Sequence, residues 1–309
     1  MKILNFGSFC IDHVYQVPHF VRPGETLPSR SHQVFAGGKG FNQSLAMARA
    51  LGAAPRESVA PSPPRITLAH AGTIGPDGDF MLAALTEAGV DITDVRRVQS
   101  PSGHAVLQVT PSGENAIVLF AGANRAQTRS HIDQVLAGCT RGDLLVLQNE
   151  INELPHLLTQ AHALSLRVAF NPAPMDADVP ALPLDAVTLL VVNEVEAADL
   201  TGAETPDRQL ADLRARLPGT TIILTRGAAG AIWQDAHQTI ETPAWPVTAV
   251  DTTAAGDTFT GYLIASLAVG LAPDTAMRRA ARAAALCVTR PGAADSIPFA
   301  AEVAALEQD

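Results

Sequence analysis

Residues 252–261, Thr-Thr-Ala-Ala-Gly-Asp-Thr-Phe-Thr-Gly, combine a turn of small residues with one carboxylate, Asp257. They follow a segment that we predict to be extended, 246–251, and lead into an apolar segment that we predict to be helical, 262–269. Small residues let a chain turn sharply into a helix, and the free N–H groups of such a start attract anions, most often phosphate. Asp257 could simply cap the helix. Beside a phosphate it could instead accept the proton of a hydroxyl that attacks the phosphate.

Two further features favour the catalytic interpretation. Asp251 lies six positions before Asp257, so two carboxylates bracket one turn. A second glycine-rich helix start, Ala-Gly-Gly-Lys-Gly-Phe-Asn, occupies residues 36–42. Of the 21 lysines and arginines, only Lys2 and Lys39 are lysines, and Lys39 lies inside this segment. A lysine kept where arginine is otherwise used suggests that a compact ammonium group is needed there.

With these segments the chain resembles the PfkB or ribokinase family of sugar and nucleoside kinases. The matching motifs run in family order from residue 7 to Ser296, and so cover nearly the whole chain. They are Gly7-Ser8 with Asp12, Pro23-Gly24-Glu25-Thr26, residues 37–43, Gly113-Glu114-Asn115, Gly122-Ala123-Asn124, Asn193-Glu194-Val195-Glu196, Thr225-Arg226-Gly227 with Gly230, and residues 251–261.

Apolar runs typical of strands alternate with helical patterns, which predicts a parallel sheet covered by helices on both faces. We predict core strands near residues 3–7, 66–73, 144–148, 168–171, 189–193, 221–225 and 231–234. We predict helices near residues 41–51, 80–88, 130–136, 154–164, 197–200, 209–216, 259–269, 275–288 and 300–307.

Four short strands near residues 14–17, 33–36, 104–110 and 116–120 do not fit that alternation and predict a small separate sheet. The resemblance implies that this sheet is a lid over a sugar site, with lid strands drawn from about 13–36 and 103–121. The fold class we expect is α/β, a three-layer αβα doubly wound and mostly parallel sheet with a small β-sheet lid. Residues 1–309 then form a single kinase domain.

The resemblance also implies site residues. Asp257 would be the general base, and the backbone N–H groups of Ala255, Gly256 and Asp257 would bind the transferred phosphoryl group. The acceptor-binding residues would be Cys10, Asp12, Gly38, Lys39, Asn42, Glu150 and Asp257. Glu153 lies close enough to Glu150 to leave that position open. Cys10 stands where ribokinases usually carry Asn, and a thiol is a poor partner for a sugar hydroxyl.

For the nucleotide, the resemblance implies Asn193, Glu196, Thr225, Gly227, Gly230 and Gly256, with Asn193 and Glu196 orienting Mg²⁺ and phosphates through water. Residues 193–196 could alternatively be only a capped helix start. A K⁺ ion beside the anion hole is implied as well. Its ligands would be Asp251, backbone oxygens of Thr253, Cys287, Arg290 and Gly292, and Ser296, although Asp251 could instead cap its turn.

The composition and charge of the chain indicate which classes of partner and which compartment to expect. The net charge is −10, the pI is about 5.3, and no basic run is longer than a pair, which disfavours nucleic acid. No apolar run approaches the ~20 residues needed to cross a membrane. Cys10, Cys139 and Cys287 lack metal-ligand spacing, so we expect free thiols in a reducing cytoplasm. The Pro-rich segment 53–65 predicts a surface loop.

The resemblance implies an enzyme that uses ATP to phosphorylate the 5-hydroxyl of D-ribose, giving ribose 5-phosphate. Alternatives are a kinase for 2-deoxyribose, another sugar or a nucleoside, and, from another class, a non-catalytic sugar-binding or regulatory protein. Aromatic residues make up only 5% of the chain, and we identify no clamp for a nucleobase. Apolar lid residues such as Val106, Ile117 and Val118 favour a homodimer formed through the lid. No P-loop motif and no dinucleotide-binding glycine motif after the first strand are present.

Overall fold

A computed structural model describes residues 1–52 and 66–306. Within those ranges the chain forms thirteen strands and nine α-helices. The strands are β1 (Lys2–Phe6), β2 (Cys10–Gln16), β3 (Ser31–Gly37), β4 (Thr67–Ile74), β5 (Val95–Arg97), β6 (Gly103–Val109), β7 (Asn115–Phe120), β8 (Leu144–Gln148), β9 (Arg167–Asn171), β10 (Leu189–Asn193), β11 (Thr221–Thr225), β12 (Ala231–Gln234) and β13 (Thr239–Thr242). The helices are α1 (Lys39–Leu51), α2 (Asp79–Glu87), α3 (Arg129–Leu136), α4 (Leu154–Ala163), α5 (Glu194–Thr201), α6 (Pro206–Arg216), α7 (Ala255–Ala268), α8 (Pro273–Val288) and α9 (Ala300–Ala305).

The larger sheet has the strand order β13-β12-β11-β10-β9-β8-β1-β4-β5. Its strands pair in parallel from β11 to β5, and only the β11–β12 and β12–β13 pairs are antiparallel, so that β12 alone runs against the other strands. The chain therefore winds outward from β1 in both directions. In open sheets of this kind, ligands bind at the carboxyl ends of the strands where the winding direction changes.

Both faces of this sheet are buried, as the near-continuous apolar strands predict. In β1, Ile3 belongs to the core beneath α1, α2, α7, α8 and α9, whereas Leu4 and Phe6 belong to the core beneath α3, α4, α5 and α6. The alternation follows directly from the two-residue repeat of a strand. The predicted three-layer αβα architecture is confirmed.

The smaller sheet has the order β3-β2-β6-β7, with β2 and β6 parallel and the outer pairs antiparallel. Its strands correspond to the predicted second set, with β2 beginning three residues before residue 13. Strand β7 leaves a continuous apolar run, residues 117–120, at least half exposed. This sheet carries Cys10 and Asp12 at the start of β2, close to the carboxyl end of β1.

Several boundaries differ from the sequence prediction. β5 and β13 were not predicted, because β5 is only three residues long and both are edge strands with little apolar character. The segment 246–251, predicted as extended, joins no strand, and the N–H groups of Val250 and Asp251 both donate to the carbonyl of Val288. The predicted loop 53–65 and the helix end at residue 307 lie outside the described residues.

Among the residues with described structure, no helix is long and apolar enough to traverse a lipid bilayer. The three cysteines are free, as predicted.

Candidate active site

A cavity of about 230 Å³ lies at the carboxyl ends of β9, β10 and β11, and the starts of α1 and α7 close it. Polar residues follow the buried apolar stretch of each strand, as Asn171, Asn193 and Thr225 do. The lining residues are Lys39, Asn171, Val191, Val192, Asn193, Glu196, Thr225, Thr252, Ala254, Ala255, Gly256, Asp257 and Thr260. The cavity thus brings together seven residues that the sequence assigned to the site: Lys39, Asn193, Glu196, Thr225, Ala255, Gly256 and Asp257.

The start of α7 offers unpaired N–H groups to this cavity. Ala254 precedes the helix in the left-handed conformation (φ 60°), and the first helical hydrogen bond runs from Thr258 N–H to the Ala254 carbonyl, 2.8 Å. Within the described chain, the N–H groups of Gly256 and Asp257 have no protein acceptor, as helix geometry requires. A Cβ on Gly256 would meet no atom within 4 Å, so this position leaves room for a ligand.

Ala255 departs from the predicted three-donor anion hole. Its N–H is directed to the carbonyl of Thr252, at a nitrogen–oxygen distance of 3.3 Å, and closes the turn that precedes the helix. The left-handed Ala254 causes this, because it reverses the chain just before the helix begins. The open donors are therefore two, Gly256 and Asp257.

The Asp257 carboxylate is 6% exposed and receives one hydrogen bond on each oxygen. Asn42 Nδ2 donates to Oδ2 at 3.0 Å, and Gln43 Nε2 donates to Oδ1 at 3.0 Å. The same carboxylate raises the pKa of Lys39, against the opposing effect of burial. The same cavity is therefore lined by a carboxylate and an ammonium group, next to the open N–H groups of α7.

The start of α1 is closed by the protein itself. Lys39 N–H donates to Glu150 Oε2 at 2.8 Å, and Gly40 N–H donates to Ser8 Oγ at 3.1 Å. The Ser8 hydroxyl in turn donates to Glu150. Glu150, rather than Glu153, therefore contacts the start of α1, and one of its oxygens serves as the cap of that helix. Burial raises the pKa of Glu150, although Ser8 and Lys39 act in the opposite direction.

Two glycines let α1 begin this close to β1. Gly38 precedes the helix with φ 93°, and a Cβ there would lie 2.9 Å from the Cys10 nitrogen. A Cβ on Gly40 would lie 2.2 Å from the Ser8 nitrogen. Backbone packs directly on backbone at this wall of the site, so no side chain can be added.

Cys10 and Asp12 interact with each other. They lie two residues apart on β2, and therefore on the same face of that strand. Burial raises the pKa of both groups, and the charge of Asp12 adds to the rise at the Cys10 thiol. Gly37 lies against this carboxylate, since a Cβ there would meet Asp12 Oδ2 at 2.3 Å.

Asn193 and Glu196 form the capping box that the sequence analysis treated as the alternative to a nucleotide role. Asn193 N–H donates to Glu196 Oε2 at 3.0 Å, and Glu196 N–H donates to Asn193 Oδ1 at 2.8 Å. Both residues also line the cavity, so the cap does not remove them from it. Burial raises the pKa of Glu196, although the Asn193 hydrogen bond and nearby Lys39 oppose that rise.

Gly227 and Gly230, predicted to contact the nucleotide, do not line the cavity. Gly230 has a structural reason to be glycine: its φ is 90°, and a Cβ would lie 2.1 Å from the Thr242 carbonyl oxygen. It shapes the turn between β11 and β12.

The predicted cation residues converge beside the start of α7. Asp251 Oδ1 accepts from Thr253 N–H at 2.9 Å and from its hydroxyl at 2.7 Å, and Oδ2 accepts from Gly292 N–H at 2.9 Å. Cys287 Sγ lies 3.6 Å from the Thr253 carbonyl oxygen and 3.1 Å from Ser296 Oγ. Burial alone would raise the pKa of Asp251, but these hydrogen bonds bring it below its ordinary value.

The Cys287 carbonyl accepts from Arg290 N–H, while the Arg290 side chain pairs with Glu302 at 2.5 Å. In residues 1–52 and 66–306 no three His, Cys, Asp or Glu side chains are grouped as in a metal centre. Among the predicted ligand atoms, the observed contacts bring together the Asp251 carboxylate, the Thr253 carbonyl and the Ser296 hydroxyl.

The sequence analysis missed several residues at this site. Gln43, although part of the quoted glycine-rich motif, was given no role, and Asn171, Thr252 and Thr260 line the cavity unpredicted. A usable signal existed for Asn171, a polar residue that directly follows a buried apolar strand, as Asn193 does. Ser8 belongs to the quoted Gly7-Ser8 motif but was given no role.

Comparison with known proteins agrees with this geometry. The family model described as pfkB family carbohydrate kinase matches residues 1–300. The chain is 36% identical over 301 residues to the ribokinase of Haemophilus influenzae, covering 94% of each protein. It is 29% identical over 311 residues to the deoxyribokinase of Salmonella typhi, covering 96% of each. The structure of Arabidopsis thaliana ribokinase complexed with ribose and ATP matches with a TM-score of 0.86 at 27% identity, covering 100% of this chain and 99% of that one. The chain belongs to the pfkB family of carbohydrate kinases.

Proposed function

We propose that the protein is an ATP-dependent ribokinase, which transfers the γ-phosphoryl group of ATP to the 5-hydroxyl of D-ribose. One observation carries the chemistry: a buried carboxylate, Asp257, is held by two amide donors immediately beside the unpaired N–H groups of Gly256 and Asp257. A base and an anion-binding backbone on one cavity wall are the parts that phosphoryl transfer needs. The similarity to the ribokinases of Haemophilus influenzae and Arabidopsis thaliana supports ribose as the acceptor.

In this proposal the 5-hydroxyl oxygen attacks the γ-phosphorus while the bond to the β–γ bridging oxygen breaks, and ADP leaves. Asp257 accepts the hydroxyl proton. The open N–H groups of α7 receive the equatorial oxygens of the transferred group, and the Lys39 ammonium group, which lines the same cavity, neutralises part of their charge.

Mg²⁺ fits the donor set on the far side of the cavity. Asn193 and Glu196 provide the amide and carboxylate oxygens that suit this ion, directly or through water. When bound, Mg²⁺ would neutralise phosphate charge.

A monovalent cation such as K⁺ fits the group around Asp251. The Asp251 carboxylate, the Ser296 hydroxyl and the Thr253 carbonyl lie in this group. The backbone oxygens of Cys287, Arg290 and Gly292 would complete the oxygen ligands that a weakly hydrated cation takes. Its charge would support the adjacent anion-binding start of α7.

The acceptor needs a second candidate, 2-deoxyribose. A thiol at position 10 gives a sugar hydroxyl a weaker hydrogen-bond partner than an amide would. The similarity to a deoxyribokinase supports the same alternative.

We also propose that the smaller sheet acts as a lid and carries a homodimer contact. The exposed apolar run on β7, residues 117–120, together with Val34 and Val106, is the surface that supports this. Three free thiols favour a reducing compartment, the cytoplasm.

The experiment is a phosphorylation assay of the purified protein with MgATP and a panel of ribose, 2-deoxyribose, other sugars and nucleosides. Each acceptor is tested in K⁺, Na⁺ and Tris at one ionic strength. We expect the highest kcat/KM for ribose or 2-deoxyribose, and higher rates in K⁺. ATP-dependent turnover on none of these acceptors would contradict the kinase proposal, and equal rates in all three salts would contradict the cation site.

A further inference from the structure

The buried side chain of Gln43 contacts the carboxylate of Asp257. Gln43 is fully buried, and its Nε2 donates to Asp257 Oδ1 at 3.0 Å. Asn42 Nδ2 supplies the other oxygen, so neighbouring residues of α1 hold both carboxylate oxygens. A side-chain amide can be rotated by 180°, which exchanges its oxygen and nitrogen, so the orientation of Gln43 depends on its other hydrogen-bond partners.

A first chain of hydrogen-bonded amides, from β1 and β8, fixes the orientation of the Gln43 amide. Asn5 Nδ2 donates to the Gly40 carbonyl at 2.7 Å, and a carbonyl can only accept. Asn5 Oδ1 therefore faces the other way and accepts from Gln148 Nε2 at 3.1 Å. The same Gln148 nitrogen donates to Gln43 Oε1 at 2.7 Å. The oxygen of Gln43 is thus committed to Gln148.

A second chain of hydrogen-bonded amides, from β9, fixes the same orientation. Asn171 Nδ2 donates to the Val191 carbonyl at 2.9 Å, which again fixes the orientation of the amide. Asn171 Oδ1 consequently faces Gln43 Nε2, at 3.3 Å. Both chains end on a backbone carbonyl and both require the Gln43 NH₂ group to point toward Asp257 and Asn171. Its two protons then have one acceptor each.

We propose that Gln43 is a positioning residue for the base, with its orientation set by these two carbonyl-anchored amide chains. The inference rests on the proposed kinase function. An N–H donor on each oxygen favours the ionised carboxylate and resists its rotation, so a lone pair stays directed at the acceptor hydroxyl. Gln43 acts through Asp257 and does not line the cavity.

The test replaces the amide with a thioether of similar size, Gln43→Met. We expect kcat to fall about 10- to 100-fold, as for loss of a hydrogen bond to a charged group, with KM for sugar and ATP within about twofold. The acid limb of the kcat–pH profile should move to higher pH, because the ionised base has lost a hydrogen-bond donor. A purely structural role would lower stability without that movement.

Gln127→Met is the matched control. Gln127 is also buried, and its Nε2 donates to Thr73 Oγ1 at 2.8 Å, outside the cavity. Its acid limb should coincide with that of the wild type.

Gln148→Met is the second variant, since it removes the donor that orients Gln43 but leaves Gln43 in place. We expect a smaller change in the same direction, and this variant decides the matter if Gln43→Met does not fold. An unchanged acid limb in the folded variants, with an active wild type, would overturn the role of Gln43. A wild type that phosphorylates no acceptor would instead overturn the proposed function.

Discussion

Helices α1 and α7 both begin after a residue with positive φ, Gly38 at 93° and Ala254 at 60°, and both lie beside the same cavity. Their N–H groups are nevertheless used differently. At α1, Glu150 and Ser8 accept the first two N–H groups, whereas at α7 the N–H groups of Gly256 and Asp257 stay open. A glycine-rich helix start therefore binds an anion only where the protein has not already capped it.

The two starts also contribute opposite chemistry. Helix α1 supplies an ammonium group and two amide donors, and α7 supplies the carboxylate that they surround. The helices pack closely enough that a Cβ on Gly261 of α7 would lie 2.5 Å from the Cβ of Ala46 of α1. Base and donors are thus held in one rigid pair of helices.

The largest effect is expected from removing the carboxylate at the start of α7. We expect Asp257→Asn to lower kcat by about 10²–10⁴-fold, because an amide cannot accept the hydroxyl proton. Sugar and nucleotide binding, measured by calorimetry, should persist. Asp79→Asn is the control, since Asp79 also lies in the first turn of a helix, α2, but pairs with Arg97. Near-normal turnover of Asp257→Asn would remove the base assignment.

The next prediction compares substitutions at the two positive-φ residues, Gly38 and Ala254. Gly38→Ala should destabilise the protein by about 1–3 kcal/mol and lower kcat/KM about a hundredfold, because the new Cβ collides with the backbone at Cys10. Ala254→Gly should change the free energy of unfolding by less than about 1 kcal/mol, since relief of the left-handed strain offsets the added freedom of the unfolded chain. Urea unfolding and steady-state kinetics on both variants check this. Similar losses from both would contradict the contrast.

Lys39→Arg sharpens the role of α1. The charge is kept, but a planar guanidinium is larger than an ammonium group and would displace the acceptor from the base. We expect kcat/KM to fall about 10- to 100-fold. The matched control is Lys2→Arg, where the lysine pairs with Asp94 away from the cavity. Unchanged kinetics for Lys39→Arg would mean that only its charge matters.

The smallest effect concerns Cys10, beside the start of α1. Cys10→Asn should raise the ratio of kcat/KM for ribose over 2-deoxyribose by up to about tenfold, the worth of one neutral hydrogen bond. Cys139→Ser is a suitable control, because Cys139 is a free thiol in the connection between α3 and β8. A ratio that stays constant or falls would show that position 10 does not read the hydroxyl.

The sequence predicted the αβα sheet well because its strands are buried on both faces, so that runs such as residues 144–147 of β8 are uniformly apolar. It failed at β5 and β13, short edge strands whose pairing depends on neighbours distant in the chain. For the site, motif residues such as Asn42 and Lys39 were predictable. The direction of the Gln43 amide was not, because two carbonyls from residues 40 and 191 determine it.

Glu150 and Gly230 illustrate the same limit. The sequence predicts a substrate-binding carboxylate and a nucleotide-binding glycine. In the structure, one oxygen of Glu150 caps helix α1, so at least part of its role is structural. Gly230 is required because a Cβ would collide with the Thr242 carbonyl oxygen, which is a purely local reason. Such dual demands become visible only when distant segments are seen in contact.

The backbone-on-backbone contact of Gly40 with Ser8 has an evolutionary consequence. A wall without side chains offers mutation almost nothing to vary, because any larger residue at Gly38 or Gly40 displaces the main chain. A change of preferred acceptor must then arise at positions that do carry side chains, such as Cys10 and Asp12 on β2. The fold thus separates a nearly immutable part, which sets where the bond forms, from a few adjustable positions through which a lineage can explore new sugars.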